Sequence, residues 1–374
     1  MISATNNIGK VSAVLLVLSL TACGKAPTPS TTLPTQEQST NSHDQYEQYN
    51  RSLSERVLVP RYTKLAESFS NLHTTAVNTC TTALLDYTHT KVAWRDAMTA
   101  WQSINWFQLG PIAEHGQLTR IQFWPDSNQA VKRGVGKLLA QEDLPTPERL
   151  SQINAGAQGL PAIEKLLFSD FMVEKASEQK RCQLIALISG NLSSMANEVS
   201  AQWNNSQTPF IEHFNTGEGE FSDAKDASEE MISNWLASLI RVLDNKLSYP
   251  LSIKAPGIPL LAESPYADYS TQNIQENIRA FRAVFSADGG FGIDDILSKQ
   301  GQDTLAETIL LQFDRVDNAM AKIPDSYEQA LATEEGRQAL TELIDELRGL
   351  QLLFATDMVN ELSLNLGFNA LDGD

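Results

Sequence analysis

Apolar residues in this chain return at three- and four-residue intervals over long stretches, and alternating apolar and polar runs are scarce. A period near 3.6 places such residues on one face of a helix, whereas a half-buried strand needs a period of two. Cys182, Ile185, Ile188, Leu192, Met195, Val199 and Trp203 share one broad face. Leu305, Ile309, Leu310, Phe313, Val316 and Met320 form a second, and Leu340, Leu343, Ile344, Leu347, Leu350, Leu353 and Phe354 a third. Helices of this kind are stable only when their apolar faces meet, so the pattern predicts an all-α protein of packed helical bundles.

Local signals agree. Thr146-Pro147-Glu148 combines an N-cap, a first-turn proline and an acid at the positive helix end. Asp126-Ser127 is placed to cap a helix carrying Val131, Val135 and Leu138. Breaks fall at Gly110-Pro111, from Thr216 to Gly219, from Pro256 to Pro259 and at Gly289-Gly290. The stretch Phe210 to Phe221 interrupts helical order between two helix-rich halves, which predicts an N-terminal bundle over 46–215 and a C-terminal bundle over 216–374.

Ahead of these halves, Lys10 precedes the apolar run Val11 to Leu20 and then Thr21-Ala22-Cys23. That order fits a secretory leader over 1–22, too short to span a bilayer as a stable helix. A cysteine directly after small residues is where a lipobox accepts its lipid, so Cys23 is the expected lipidation site. The expectation is a periplasmic protein anchored to a membrane, with Gly24 rather than Asp favouring the outer membrane. Residues 23–45 are rich in Pro, Thr, Ser and Gln, the composition of a flexible tether.

A formal net charge of −18 argues against nucleic acid and against docking on anionic lipid. It suits an attraction for cations or basic partners, and equally a plain solvated surface. Beyond Cys23 the cysteines are Cys80 and Cys182. An even pair in an exported chain reads as a disulfide, with two buried thiols or two metal ligands as alternatives. No His-Glu-x-x-His motif occurs, none of the five histidines is followed three positions later by Glu, and no Gly-x-Ser-x-Gly elbow or Gly-rich phosphate loop is present.

Two segments stand out. Four of the six tryptophans lie between Trp94 and Asp126, a window expected to hold core and pocket rim together, although Trp94 and Trp101 also fit a single helix stripe. In Gly159-Leu160-Pro161-Ala162-Ile163-Glu164, Pro161 suits a first helical turn and Glu164 sits where the helix dipole favours a carboxylate.

The runs Trp94 to Gln102, Phe107 to Ile112, Arg120 to Asp126 and Gln158 to Phe168 resemble the imelysin-like family of bacterial exported proteins, which are often lipoproteins. Ala262-Glu263-Ser264 to Ser270 and Gly367-Phe368-Asn369-Ala370 to Asp374 extend the resemblance over nearly the whole body. It implies two helical bundles packed together, a link to iron uptake with components of that system as partners, and an older label as peptidases. The family motif is Gly-x-His-x-x-Glu, its His and Glu suspected as ligands of iron or another metal. Gly159 and Glu164 match, but Pro161 stands at the histidine position and has no side-chain donor. The resemblance further implies a polar cleft between the bundles with Arg120, Trp124, Asp126, Gly159, Glu164, Glu263, Ser264 and Ser270. There Glu164 and other carboxylates would hold a hard cation, and Arg120 would pair with Asp126 or bind an anionic chelate. Plainer roles are an Arg120–Asp126 ion pair, Ser270 as cap of a helix through Ile274 and Ile278, and Glu263 as a solvated loop acid. The function expected is a non-enzymatic binding component of iron uptake, with an imelysin-type peptidase or a structural adaptor lipoprotein as alternatives.

Overall fold

The computed structural model describes residues 36–170, 177–204 and 209–366. The expected leader, Cys23, the first part of the expected tether and the closing Gly367 to Asp374 lie outside the described residues.

The first half contains α1 (Gln36–Leu53), α2 (Val59–Thr81), α3 (Thr88–Gln102), α4 (Gln117–Ile121), α5 (Ala130–Ala140), α6 (Pro147–Ser151), α7 (Leu160–Phe168), α8 (Glu178–Asn204) and the short α9 (Pro209–Thr216). The second contains α10 (Ala224–Arg241), α11 (Tyr249–Leu251), α12 (Ser270–Phe285), α13 (Ile293–Lys299), α14 (Asp303–Met320), α15 (Tyr327–Ala332), α16 (Glu334–Leu352) and α17 (Val359–Glu361). No strand occurs among the described residues, and the all-α expectation holds.

Three of these rods run on through a π-helical segment: α1 into α2 through Ser54–Leu58, α10 into α11 through Val242–Ser248, and α16 into α17 through Leu353–Met358. In the first two a proline, Pro60 or Pro250, follows at once. Proline has no N–H to donate and its ring crowds the carbonyl four residues back, so a widened turn lets the helix continue past it.

The helices α2 and α8 lie antiparallel along their length. A disulfide joins Cys80 to Cys182 at one end, and the Asn204 amide donates to Thr63 Oγ1 (3.1 Å) at the other. The pair read from cysteine parity is therefore formed, across a sequence separation of 102. Closing a loop of that size removes about 4–5 kcal/mol of unfolded-chain entropy in the loop-closure picture. In the second half, α10, α12, α14 and the π segment after α16 gather Trp235, Phe281, Phe285, Phe313 and Phe354 into one aromatic core.

Helix α1, which the sequence assigns to the N-terminal bundle, makes contacts across the expected 215/216 boundary. Tyr46, Tyr49 and Leu53 of α1 are buried, and α1 packs against α9 and α10. The Asn50 amide donates to the carbonyls of Phe214 (2.9 Å) and Ala224 (2.8 Å), and Tyr49 donates to Val284 O (3.1 Å). Because the π segment carries α1 straight into α2, one continuous rod serves both bundles, and its first part belongs with the second half. The helix also begins at Gln36, inside the stretch expected to be tether. Farther along, α12 packs across α3, and this second contact builds the seam that holds the candidate site.

Candidate functional site

Where α3 meets the second half, polar side chains occupy positions that helical periodicity assigns to the core. Lys246 follows Leu239, Val242 and Leu243 along one stripe, and its π segment turns it inward to 3 % exposure. Its ammonium donates to Gln102 Oε1 (2.7 Å), Asn277 Oδ1 (2.7 Å) and Glu263 Oε2 (2.8 Å), which uses all three of its hydrogens. Burial pushes the Lys246 pKa down from its ordinary value, while the adjacent Glu263 carboxylate works against that shift. The other Glu263 oxygen accepts from the Gln122 amide (2.8 Å), and Gln122 Oε1 accepts from the Trp101 indole (2.7 Å). Asn277 closes the network by donating to the Gln102 carbonyl (2.9 Å). A buried ion pair is tolerable only when its remaining donors and acceptors are satisfied, and here they are.

Beside this network lies a cavity of about 270 Å3. The first half contributes Trp101, Asn105, Gln108, Leu118, Thr119, Gln122 and Trp124; the second contributes Ser238, Arg241, Lys246 and Glu263. The tryptophan-rich window thus supplies both core and rim: Trp94 and Trp106 are fully buried, while Trp101 and Trp124 form cavity wall.

Glu164 occupies a neighbouring position. Gly159, at φ +89°, turns the chain into α7, and a Cβ there would lie 2.5 Å from the Arg120 carbonyl oxygen, so only glycine fits. The Trp94 indole donates to the Leu160 carbonyl (3.0 Å) and fixes the start of the helix. Pro161 takes its expected place in the first turn. Glu164 falls one residue beyond that turn and does not serve as a cap. It is 4 % exposed, and its Oε1 accepts from the backbone N–H of Tyr266 (2.9 Å) and Ala267 (3.0 Å). It pins the loop before α12 to the first half. Burial pushes its pKa up to about 8 against the pull of those two N–H groups, with Glu263 adding to the rise.

The sequence-nominated residues divide. Glu164, Glu263, Ser264 and Ser270 come together around the 263–270 loop. Ser264 Oγ accepts from Asn273 (3.1 Å), and Ser270 Oγ donates to the Glu263 carbonyl. Ser270 is therefore not a helix cap: it is the first residue of α12 and ties down the loop behind it. Glu263 is not a solvated loop acid but a buried partner of Lys246. Arg120 and Asp126 form no pair. Both Asp126 oxygens accept from the start of α5, Ala130 N (2.7 Å) and Val131 N (2.9 Å), as expected of a cap. With Asp126 so engaged, Arg120 turns to Asn191 Oδ1 (3.1 Å) and Gln158 Oε1 (3.4 Å).

The donor set does not fit the metal that the family resemblance implies. Pro161 offers nothing, Glu164 Oε1 is taken by two backbone N–H groups, and both Glu263 oxygens are taken by Gln122 and Lys246. Among the described residues no group of three or more His, Cys, Asp or Glu is arranged to hold an ion.

Sequence reasoning missed Lys246, Arg241, Gln102, Gln122 and Asn277. For three of them a signal existed. Lys246 interrupts an apolar stripe, Gln102 follows Met98 by one turn, and Asn277 sits among Ile274, Ile278 and Phe281. A polar residue at a core position marks either a buried network or a site.

An all-α fold of two joined bundles, with a polar seam and a small cavity between them, defines the class. The family model described as Imelysin (Peptidase_M75) matches residues 58–353, and the chain belongs to the imelysin family. Two solved structures share the fold. One is an imelysin-like protein from Psychrobacter arcticum 273-4, 20 % identical, with a TM-score of 0.73 over 87 % of this chain and 98 % of that one. The other is described as an iron-regulated protein A precursor from Parabacteroides distasonis ATCC 8503, 18 % identical, with a TM-score of 0.65 over 88 % of this chain and 98 % of that one. No curated protein sequence matches the chain.

Proposed function

We propose that this imelysin-family chain is an exported binding component of iron uptake, tethered by lipid on Cys23 to the periplasmic face of the outer membrane, and not a peptidase. The observation that carries the binding reading is the cavity between the halves, walled by side chains that a fully satisfied network holds in place. Pre-formed pockets with a few fixed polar groups are the usual form of small-ligand sites. The leader-like order ending at Cys23 supports export and anchoring, and the Cys80–Cys182 bond suits an oxidising compartment. The iron link rests on the family and on the description of one structural neighbour as iron-regulated. Since the donor set does not suit a bare ion, the cargo in this reading is a chelate or other small molecule, or a partner protein.

The test is growth of a deletion strain with and without an iron chelator in the medium. Slower growth only under iron limitation, restored by the wild-type gene, is the expected result; identical growth in both media overturns the iron link. In the same strain Cys23→Ser moves the protein out of the membrane fraction if the anchor is as proposed. The peptidase alternative, which rests on the family's name, predicts cleavage of unfolded or peptide substrates by the purified protein with or without divalent metal.

A further inference from the structure

The charges around the cavity do not balance. Lys246 and Glu263 neutralise one another at 2.8 Å, but Arg241, the last residue of α10 and half-buried in the cavity wall, has no carboxylate within ion-pair distance among the described residues. Its partner is a neutral one. Gln108, with its amide oxygen turned toward the guanidinium, accepts from both terminal nitrogens at 3.1 and 3.2 Å. Arginine keeps its proton in proteins, so this charge cannot be relieved by neutralisation. Burial lowers the Arg241 pKa, and the Glu263 charge offsets only part of that. In a chain whose formal charge is −18, this wall holds one cation in excess.

From this imbalance we infer that the cavity binds a small organic monocarboxylate, its head against Arg241 and its body between Trp101 and Trp124. This rests on the binding reading given above and names the class of ligand. Three observations select the class. The planar guanidinium fork matches a carboxylate with two parallel hydrogen bonds. One excess positive charge is neutralised by one negative charge, whereas a dianion would bury a second charge with no partner. The volume, about 270 Å3, lies at the small end for ligand sites, and two indoles in the wall suit a compact apolar or ring-shaped body. Ser238, one turn before Arg241 on the same face of α10, supplies a hydroxyl at the same wall.

The test uses the full chain purified in detergent, titrated calorimetrically with benzoate, lactate and gluconate, with succinate as the dianionic arm and inorganic phosphate as the inorganic-anion arm. At least one monocarboxylate should bind saturably and raise the melting temperature. Gln108→Glu, nearly isosteric, places a carboxylate against both terminal nitrogens of Arg241 and imitates the ligand from within. It should abolish binding while raising the melting temperature of the free protein. Arg241→Met should weaken binding by about tenfold or more, the usual consequence of losing a charged hydrogen-bond partner. Should Arg241→Met fail to fold, Gln108→Glu alone decides. No monocarboxylate binding to the wild type, binding unchanged in Gln108→Glu, or tighter binding of succinate or phosphate than of every monocarboxylate overturns the inference. Its failure is separable from that of the iron link: a growth defect without carboxylate binding removes the ligand class only, and binding without a growth defect removes the iron link only.

Discussion

Around Trp235, Phe281, Phe285, Phe313 and Phe354 fill the second half with ring against ring, Trp235 and Phe354 having centroids 4.3 Å apart. At the seam an equal depth of burial falls to Gln102, Lys246, Glu263 and Asn277. The same helix serves both regions, since α12 directs Phe281 to the aromatic core and Asn277, one turn earlier, to the seam. The aromatic core explains itself: each ring removed from water contributes, and any ring of similar size would serve. The seam does not. Desolvating an ammonium and a carboxylate costs several kcal/mol per ion, and a well-packed apolar pair in their place is often at least as stable. What the charged pair supplies is direction, because Lys246 fixes three acceptors and through Glu263 and Gln122 orients the Trp101 wall of the cavity. The contrast is between a region whose chemistry is set by folding and one whose chemistry is set by what stands next to it.

Substitutions should separate the two regions by how they are rescued. Phe354→Ala opens a void and is expected to lower stability in urea by about 4 kcal/mol. A partner substitution cannot refill that space in its original shape. Lys246→Met leaves Glu263 buried without its cation and is expected to cost about 3 kcal/mol. Adding Glu263→Gln to Lys246→Met should recover most of that loss, while the melting-temperature response to carboxylates weakens. A double variant as unstable as Lys246→Met alone would mean that the seam carries the fold as the aromatic core does, and the contrast would be lost.

Glu164 sharpens the comparison with a pH dependence. Its folded-state pKa, about 8, lies above the ordinary 4.5, so the folded protein keeps a proton that the unfolded chain releases. Its contribution is therefore fully present below about pH 4.5, falls as pH rises through the interval to about 8, and is flat beyond. The slope there approaches about 1.4 kcal/mol per pH unit. The facing groups are the N–H of Tyr266 and Ala267, Glu263 and Lys165. Urea unfolding between pH 5 and 8, the interval between the unfolded and folded pKa of Glu164, should show wild type losing stability relative to Glu164→Gln. Parallel curves for the two proteins would place the proton elsewhere.

The fold was legible because it depends on repetition. The stripes through Cys182 to Trp203 and Leu340 to Phe354 require only that apolar residues keep their spacing, and both form the helices expected. The disulfide was legible from cysteine parity once Lys10 to Cys23 was read as an export leader. The contacts of α1 across the expected boundary were not, because no local signal at Tyr46 or Tyr49 states which bundle will cover them. Half of the site was visible through short runs that carry the family resemblance, Gly159 and Glu164 in one and Glu263 in another. The other half was hidden inside helices. Lys246 and Asn277 look like ordinary polar residues until their phase on the stripe is counted, and Arg241 gains its meaning only from the absence of a carboxylate across a gap between distant segments.

Asp126 gives the smallest effect and marks where the seam ends. Sequence alone left two roles open for it, helix cap or partner of Arg120, and the geometry assigns the cap. Asp126→Ala should cost about 1 kcal/mol, the usual loss when a helix start gives up its side-chain acceptor. Asp126→Asn keeps one such oxygen and should cost less. A double-mutant cycle with Arg120→Met separates the roles more sharply, since two residues without a shared contact add to within about 0.5 kcal/mol. Additive losses place Asp126 with the elements that build the fold. A coupling well above that value would join it to Arg120 after all and extend the polar network past Gln122 along the first half.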